Sequence, residues 1–223
     1  MTVLLILATI IAFLTLDYFY SRRRAVAAVG AGVNKELPAP GLAPAYVAGF
    51  ALPGNFRYHP GHTWAVPEGP TQVRIGLDDF AARLIGKAAQ ISLPRRGQWI
   101  RQGQKVWSVQ RDGKEVGMVS PIEGMITEIN EAAAQNPALA LRDPYGDGWL
   151  VSVHSPDAKT NFRNLLGGGV ARRWMDEAAA RLSARMPALA GAVAQDGGLA
   201  VSDLSAQLPE AEWEALTREF FLS

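Results

Sequence analysis

Between Gln72 and His154 the apolar pattern changes every few residues, and no run is long enough to build a large helix. Residues 72–77 (QVRIGL) alternate, with Val73, Ile75 and Leu77 on one face and Gln72 and Arg74 on the other, the period of a half-buried strand. Residues 88–93 end at Pro94, and residues 98–109 break into two strand pieces at Gly103. Segments 114–120, 124–130 and 148–154 complete the set. Two short helical pieces interrupt them. One spans 78–86; the other, 131–141, opens from Asn130, a good cap, and is broken at Asn136-Pro137. Many short strands at close spacing predict a mainly β domain with helices, a small sandwich or flattened barrel.

Composition removes several chemistries. The 223 residues contain no cysteine, which excludes thiol catalysis, disulfides and thiolate metal sites. Lys and Arg total 22 against 21 Asp and Glu, and a net charge of +1 argues against a nucleic-acid footprint. No Ser-His-Asp constellation, Walker loop or dinucleotide fingerprint is present, so no catalytic residue is assigned and the chain reads as no enzyme.

The N-terminus has a separate character. Residues 2–20 are apolar apart from Asp17, and at about 1.5 Å per residue such a helix is close to the thickness of a hydrocarbon core. Tyr18, Phe19 and Tyr20 form an aromatic interface marker, followed at once by Arg22, Arg23 and Arg24. A secretory signal has the opposite charge order. The expectation is a single-pass anchor with basic stop at 1–24 in the cell's inner (plasma) membrane, its N-terminus outside and everything after Arg24 cytoplasmic. A buried core helix and a signal cleaved within 25–30 are the alternatives. Residues 25–56, rich in Pro, Gly and Ala, read as an extended linker.

Residues 158–223 predict a helical extension. In 172–186, Trp174, Ala178 and Leu182 share a face; in 208–221, Pro209 lies near a helix start and Trp213, Leu216 and Phe220 form a stripe. These helices either pack back on the β domain or offer a docking face to a partner, for which Trp and Phe are favoured anchors.

The stretches YHPGHTW (58–64), VRIGLDDFA (73–81), SPIEGMITEIN (120–130) and DPYGDGWL (143–150) occur in register. Over residues 57–157 the chain resembles the H protein of the glycine cleavage system. The resemblance implies a barrel-sandwich hybrid of the lipoyl and biotinyl type, in which a hairpin-tip lysine bears lipoate through an amide. The loaded arm carries an aminomethyl group among partner enzymes, and the cofactor supplies the chemistry.

Counting the family's spacing from Gly103 forward, or from Ser120 back, lands on Gly113, where the lipoyl lysine would stand; Lys114 falls one place later. Asp112-Gly113 is among the best two-residue hairpin turns, since both positions take φ > 0. One place along a strand turns a side chain to the other face. Lys114 is therefore either an ordinary hairpin lysine or a displaced lipoyl site.

Two function classes follow: a membrane-tethered, non-catalytic interaction or scaffold protein without lipoate, with protein partners, or a lipoyl carrier using Lys114. A weaker third is a small-ligand or metal module built on His59 and His62, whose loop spacing otherwise reads as packing, so no metal site is assigned. Asp78 and Asp79 read as helix caps, and Asp143, Tyr145 and Asp147 as turn formers.

Overall fold

The computed structural model describes residues 45–185, 200, 203–207 and 210–222, all within one compact unit. The candidate span 2–20 and the basic stop lie outside the described residues. Among those described, no helix is long and apolar enough to cross a membrane.

The predicted alternation becomes three antiparallel sheets. The largest is built from β3 (Arg57–His59), β4 (Thr63–Pro67), β5 (Gln72–Leu77), β7 (Trp99–Ile100), β10 (Gly124–Ile129) and β11 (Val151–His154), in spatial order β3-β4-β5-β11-β10-β7. A three-stranded sheet orders β6 (Gln90–Ser92), β8 (Lys105–Arg111) and β9 (Lys114–Val119) as β6-β8-β9. The third is a hairpin of β1 (Tyr46–Val47) and β2 (Phe50–Ala51). The fold is mainly β with helices.

That hairpin corrects the linker reading at its end. Residues 45–56 are packed chain: Phe50, Leu52 and Phe56 are buried, and Phe50 lies 5.0 Å from Phe80, ring to ring. Ala48 and Gly49 turn the hairpin with φ of 49° and 85°. Local propensity hides such a turn, because alanine rarely takes positive φ; burial of Phe50 compensates.

Helix α1 (Asp79–Ile85) follows β5, as its sequence predicts. Asp78 caps it by accepting from the Ala81 N–H at 2.8 Å. Helices α2 (Glu131–Gln135) and α3 (Pro137–Arg142) are the two halves of the interrupted piece. Asn130 caps the first, and Pro137 sits where a missing N–H costs nothing. The short α4 (Ala158–Arg163) opens the segment expected to be helical. Helix α5 (Gly168–Arg185) begins four residues earlier than expected, since glycines are tolerated in a first turn better than in a helix interior.

Both extension helices fold back. Met175, Ala178 and Leu182 of α5, and Trp213, Leu216, Phe220 and Phe221 of α6 (Glu210–Phe221), belong to the same apolar cluster as the sheets. At the centre lies Trp64, fully buried, its indole N–H donating to Leu77 O at 2.7 Å and Pro144 O at 3.1 Å. Gly76 makes room for that ring: a Cβ there would stand 2.5 Å from Trp64 Cζ2.

Candidate functional site

Two places collect the residues that the sequence singles out. The first is the tip of the β8–β9 hairpin. Arg111 pairs with Lys114, and Asp112 and Gly113 turn the chain with φ of 47° and 80°. This is the tight turn expected of Asp-Gly. Nothing lies within 4 Å of where a Cβ on Gly113 would point, so the tip is open at that position.

Lys114 begins β9 and is turned toward α6. Its Nζ donates to Glu214 Oε1 at 2.5 Å, and the side chain is 24% exposed. The hydrogen bond and charge of Lys114 hold the Glu214 carboxyl below its ordinary value. On the other side of the tip, Arg111 donates to Ile85 O at 2.5 Å and pairs with Asp203 at 3.2 Å. Its guanidinium also lies 6.0 Å from the Trp213 ring. Both flanks of the turn are thus tied to elements outside the hairpin. Sequence reading did not find Glu214 or Asp203: each lies about a hundred residues or fewer from its partner, with no local pattern to link them.

An N-lipoyl amide replaces the ammonium with a neutral group on a long arm, which needs room to swing. Lys114 as placed does not offer that; its Nζ is engaged by a carboxylate on a packed helix. Gly113 has the open position and no side chain to modify. Neither residue fits the group as it stands.

The second place is the corner where β4 enters from the His59–His62 turn. His62 has φ of 58° and is fully buried, with Nδ1 at 2.9 Å from Asp78 Oδ2. Its ring stacks on Phe80 at 4.0 Å and faces Trp174 at 4.6 Å, with Phe220 and Phe221 edge-on. The imidazole is clasped by α1, α5 and α6 at once. His59 points elsewhere, its Nδ1 accepting from the Gly61 N–H at 3.0 Å. Burial, and then the nearby His62, hold His59 below its ordinary pKa. Among the described residues no three His, Asp or Glu side chains converge as a metal site.

Asp78 is therefore cap and histidine partner together. Asp79 accepts from the Ala51 N–H at 2.8 Å and from Arg83 Nε at 2.9 Å, tying the β1–β2 hairpin to α1. Asp143 does form its turn, accepting from the Asp147 N–H at 2.9 Å. Tyr145 does more: its hydroxyl donates to Ala51 O at 2.9 Å, and its ring meets Phe56 edge-on. Burial pushes its hydroxyl well above the ordinary tyrosine value, and that of Tyr58 likewise.

These features define a small β domain that presents a hairpin tip and contains no assembled catalytic group among the described residues. The family model for the glycine cleavage H-protein matches residues 56–177. The chain belongs to that family. The glycine cleavage system H protein of Thermus thermophilus is 33% identical over 118 residues, covering 53% of this chain and 91% of that protein. The one from Prochlorococcus marinus is 37% identical over 109 residues, with coverages of 49% and 84%. A crystal structure of the H protein from Mycobacterium marinum is 28% identical, covers 56% of this chain and 98% of that one, and aligns with a TM-score of 0.47.

Proposed function

We propose that this chain is a divergent H-protein-family member that does not carry lipoate and acts as a non-catalytic interaction or scaffold protein. In this reading the β domain has the barrel-sandwich architecture of lipoyl domains. Residues 2–20 tether it to the plasma membrane, with the domain on the cytoplasmic side. The observation that carries the proposal is the hairpin tip. Both spacing counts point to Gly113 as the family lysine's position, and the neighbouring Lys114 is bonded to Glu214 of α6. A fold keeps its shape through its core, so loss of an exposed tip residue removes the cofactor and leaves the partner-facing surfaces in place.

The competing reading is lipoate on Lys114, favoured by its position one residue from the turn glycine. Intact mass of the protein from its own source, with fragment mapping of residues 106–121, separates the two. A bare peptide, in cells whose other lipoyl proteins are fully modified, is the expected result. A lipoyl adduct on Lys114 would sink the scaffold reading and restore the carrier.

A further inference from the structure

The charge of this nearly neutral chain is unevenly distributed. Between Asp79 and Asp112 the sequence holds seven basic residues (Arg83, Lys87, Arg95, Arg96, Arg101, Lys105 and Arg111) and no acid. Arg83 and Arg111 are spent on internal ion pairs. Arg95, Arg96, Arg101 and Lys105 are exposed, and among the described residues none has a carboxylate partner. Among the described residues, Glu123, just before β10, and Glu128, within it, form no ion pair with them.

The turns that bear Arg95, Arg96 and Arg101 flank the short strand β7 on either side along the chain. Trp99, half exposed on the edge strand β7, pairs directly across from Met125 of β10, which is 41% exposed. An exposed Trp beside an exposed Met on one sheet edge leaves unburied much of the area that aromatic residues ordinarily hide.

The presentation is rigid. Residues 95–98 and 101–104 form two turns closed in the same way. Gln98 N donates to Arg95 O and Gln104 N to Arg101 O, each at 3.1 Å. In return the Gln98 and Gln104 side chains accept from the Arg95 and Arg101 N–H groups at 3.2 and 2.9 Å. Gly97 and Gly103 have φ of 80° and 78°, and a Cβ on either would meet nothing within 4 Å. The turns therefore project outward as a convex rim. A rim without a groove suits a soft, broad surface better than a partner's inserted side chain.

We infer that this rim, Arg95, Arg96, Trp99, Arg101 and Met125, seats the domain on an anionic lipid surface. The inference rests on the membrane-tether reading. Twenty residues separate Arg24 from Ala45, enough for roughly 70 Å when extended. A tether of that reach keeps the domain at high local concentration beside the bilayer, so a modest patch suffices. Basic side chains meet anionic headgroups electrostatically, and Trp and Met enter the interfacial layer. Seated this way, the domain would hold one orientation at the membrane.

The test uses the full chain in vesicles of phosphatidylcholine alone, or of phosphatidylcholine and phosphatidylglycerol at about three to one, each with and without brominated acyl chains. The expected result is quenching of the tryptophan emission component that Trp99→Phe removes, in the anionic vesicles only. The variant Arg95→Gln/Arg96→Gln/Arg101→Gln should weaken that association on the order of a hundredfold, about fivefold per arginine, and high salt should do the same. If the chain resists alkaline carbonate extraction yet Trp99 stays unquenched on anionic vesicles, the tether stands and the lipid-seating inference falls, leaving an acidic protein as the rim's partner. If carbonate strips the chain, the tether fails. The rim then survives only if anionic vesicles still bind the chain in a salt-sensitive way; no binding removes both.

Discussion

The His62 corner and the β8–β9 tip stand at opposite ends of what this family fold permits. At the corner, His62, Asp78 and Phe80 are fully buried and joined by a hydrogen bond and ring stacking, and the equally buried Trp64 donates to Leu77 O and Pro144 O. Any change there must be repaid by several neighbours at once. At the tip, Gly113 faces open space and the exposed Asp112 meets only Arg111, so the backbone geometry of the turn is the main constraint. The family signature of this chain is accordingly strong at the corner, where packing dictates the residues. At the tip packing dictates little, so on the proposed reading the loss of a cofactor would leave those residues free to change. In both places C-terminal helices make the contacts: α5 and α6 close over His62, and α6 also holds Lys114.

The sharpest test of this contrast is Trp64→Ala. It removes one of the two largest fully buried side chains and both hydrogen bonds of its indole N–H, and should destabilise the domain by about 3–5 kcal/mol. Chemical denaturation followed by circular dichroism would measure it. A cost comparable to a surface change would mean that the corner does not organise the core.

Asp78→Ala comes next. It deletes a helix cap, about 1 kcal/mol, and strands the His62 Nδ1 in the core, a further ~1–3 kcal/mol. Asp78→Asn can still cap α1 and should recover roughly 1 kcal/mol. Equal losses in the two variants would show that the His62 contact, and not the cap, is what Asp78 supplies.

At the tip, Gly113→Lys should cost only about 1–2 kcal/mol, the strain of a side-chain-bearing residue at φ of 80°, because the space is open. If Gly113 marks the family lysine's position, incubation with a lipoate ligase, lipoate and ATP should add a lipoyl mass at residue 113 of this variant and none to the parent chain. A variant that folds and stays bare would show that more than one residue separates this tip from a carrier.

How much of this was legible follows the same division. The strands were readable because Val73, Ile75 and Leu77 alternate with polar residues, a period that only an extended half-buried chain satisfies. The caps of α1 and α2 were readable because Asp78 and Asn130 act on backbone three residues away. The β1–β2 hairpin was hidden: Pro, Gly and Ala around it mimic a linker, and its ordering comes from Phe50 meeting Phe80, thirty positions on. For the candidate site, the Asp112-Gly113 turn was visible, since two-residue turns announce themselves locally. The engagement of Lys114 by Glu214 was not, because a pair a hundred residues apart has no periodic signature.

A smaller effect belongs to His59. Burial lowers the folded pKa of His59, so the unfolded chain takes up a proton more readily. Stability should be fully present above the ordinary histidine pKa of about 6.5 and decline as pH falls through it toward the lowered folded value. His59→Gln should flatten that part of the Tm-against-pH curve. A slope that survives the substitution assigns the titration to another group.

The smallest effect belongs to the Lys114–Glu214 pair. Glu214 is exposed, so its ion pair is screened and contributes little to stability. The sign is fixed all the same. Because Lys114 lowers the Glu214 pKa, with Arg218 adding to the shift, the contribution is present above the ordinary glutamate value of about 4.3 and is lost as pH falls through the lowered one. Lys114→Ala should therefore leave Tm nearly unchanged near neutral pH while raising the Glu214 pKa toward its ordinary value, readable by side-chain NMR titration. Packing of Trp213, Leu216 and Phe220 keeps α6 in place with or without the pair. If Lys114→Ala instead released α6, shown by new proteolytic cuts within residues 210–221, the ion pair would be a fastening and not an accessory. The lysine beside the turn would then have exchanged a carrier's freedom for a structural post.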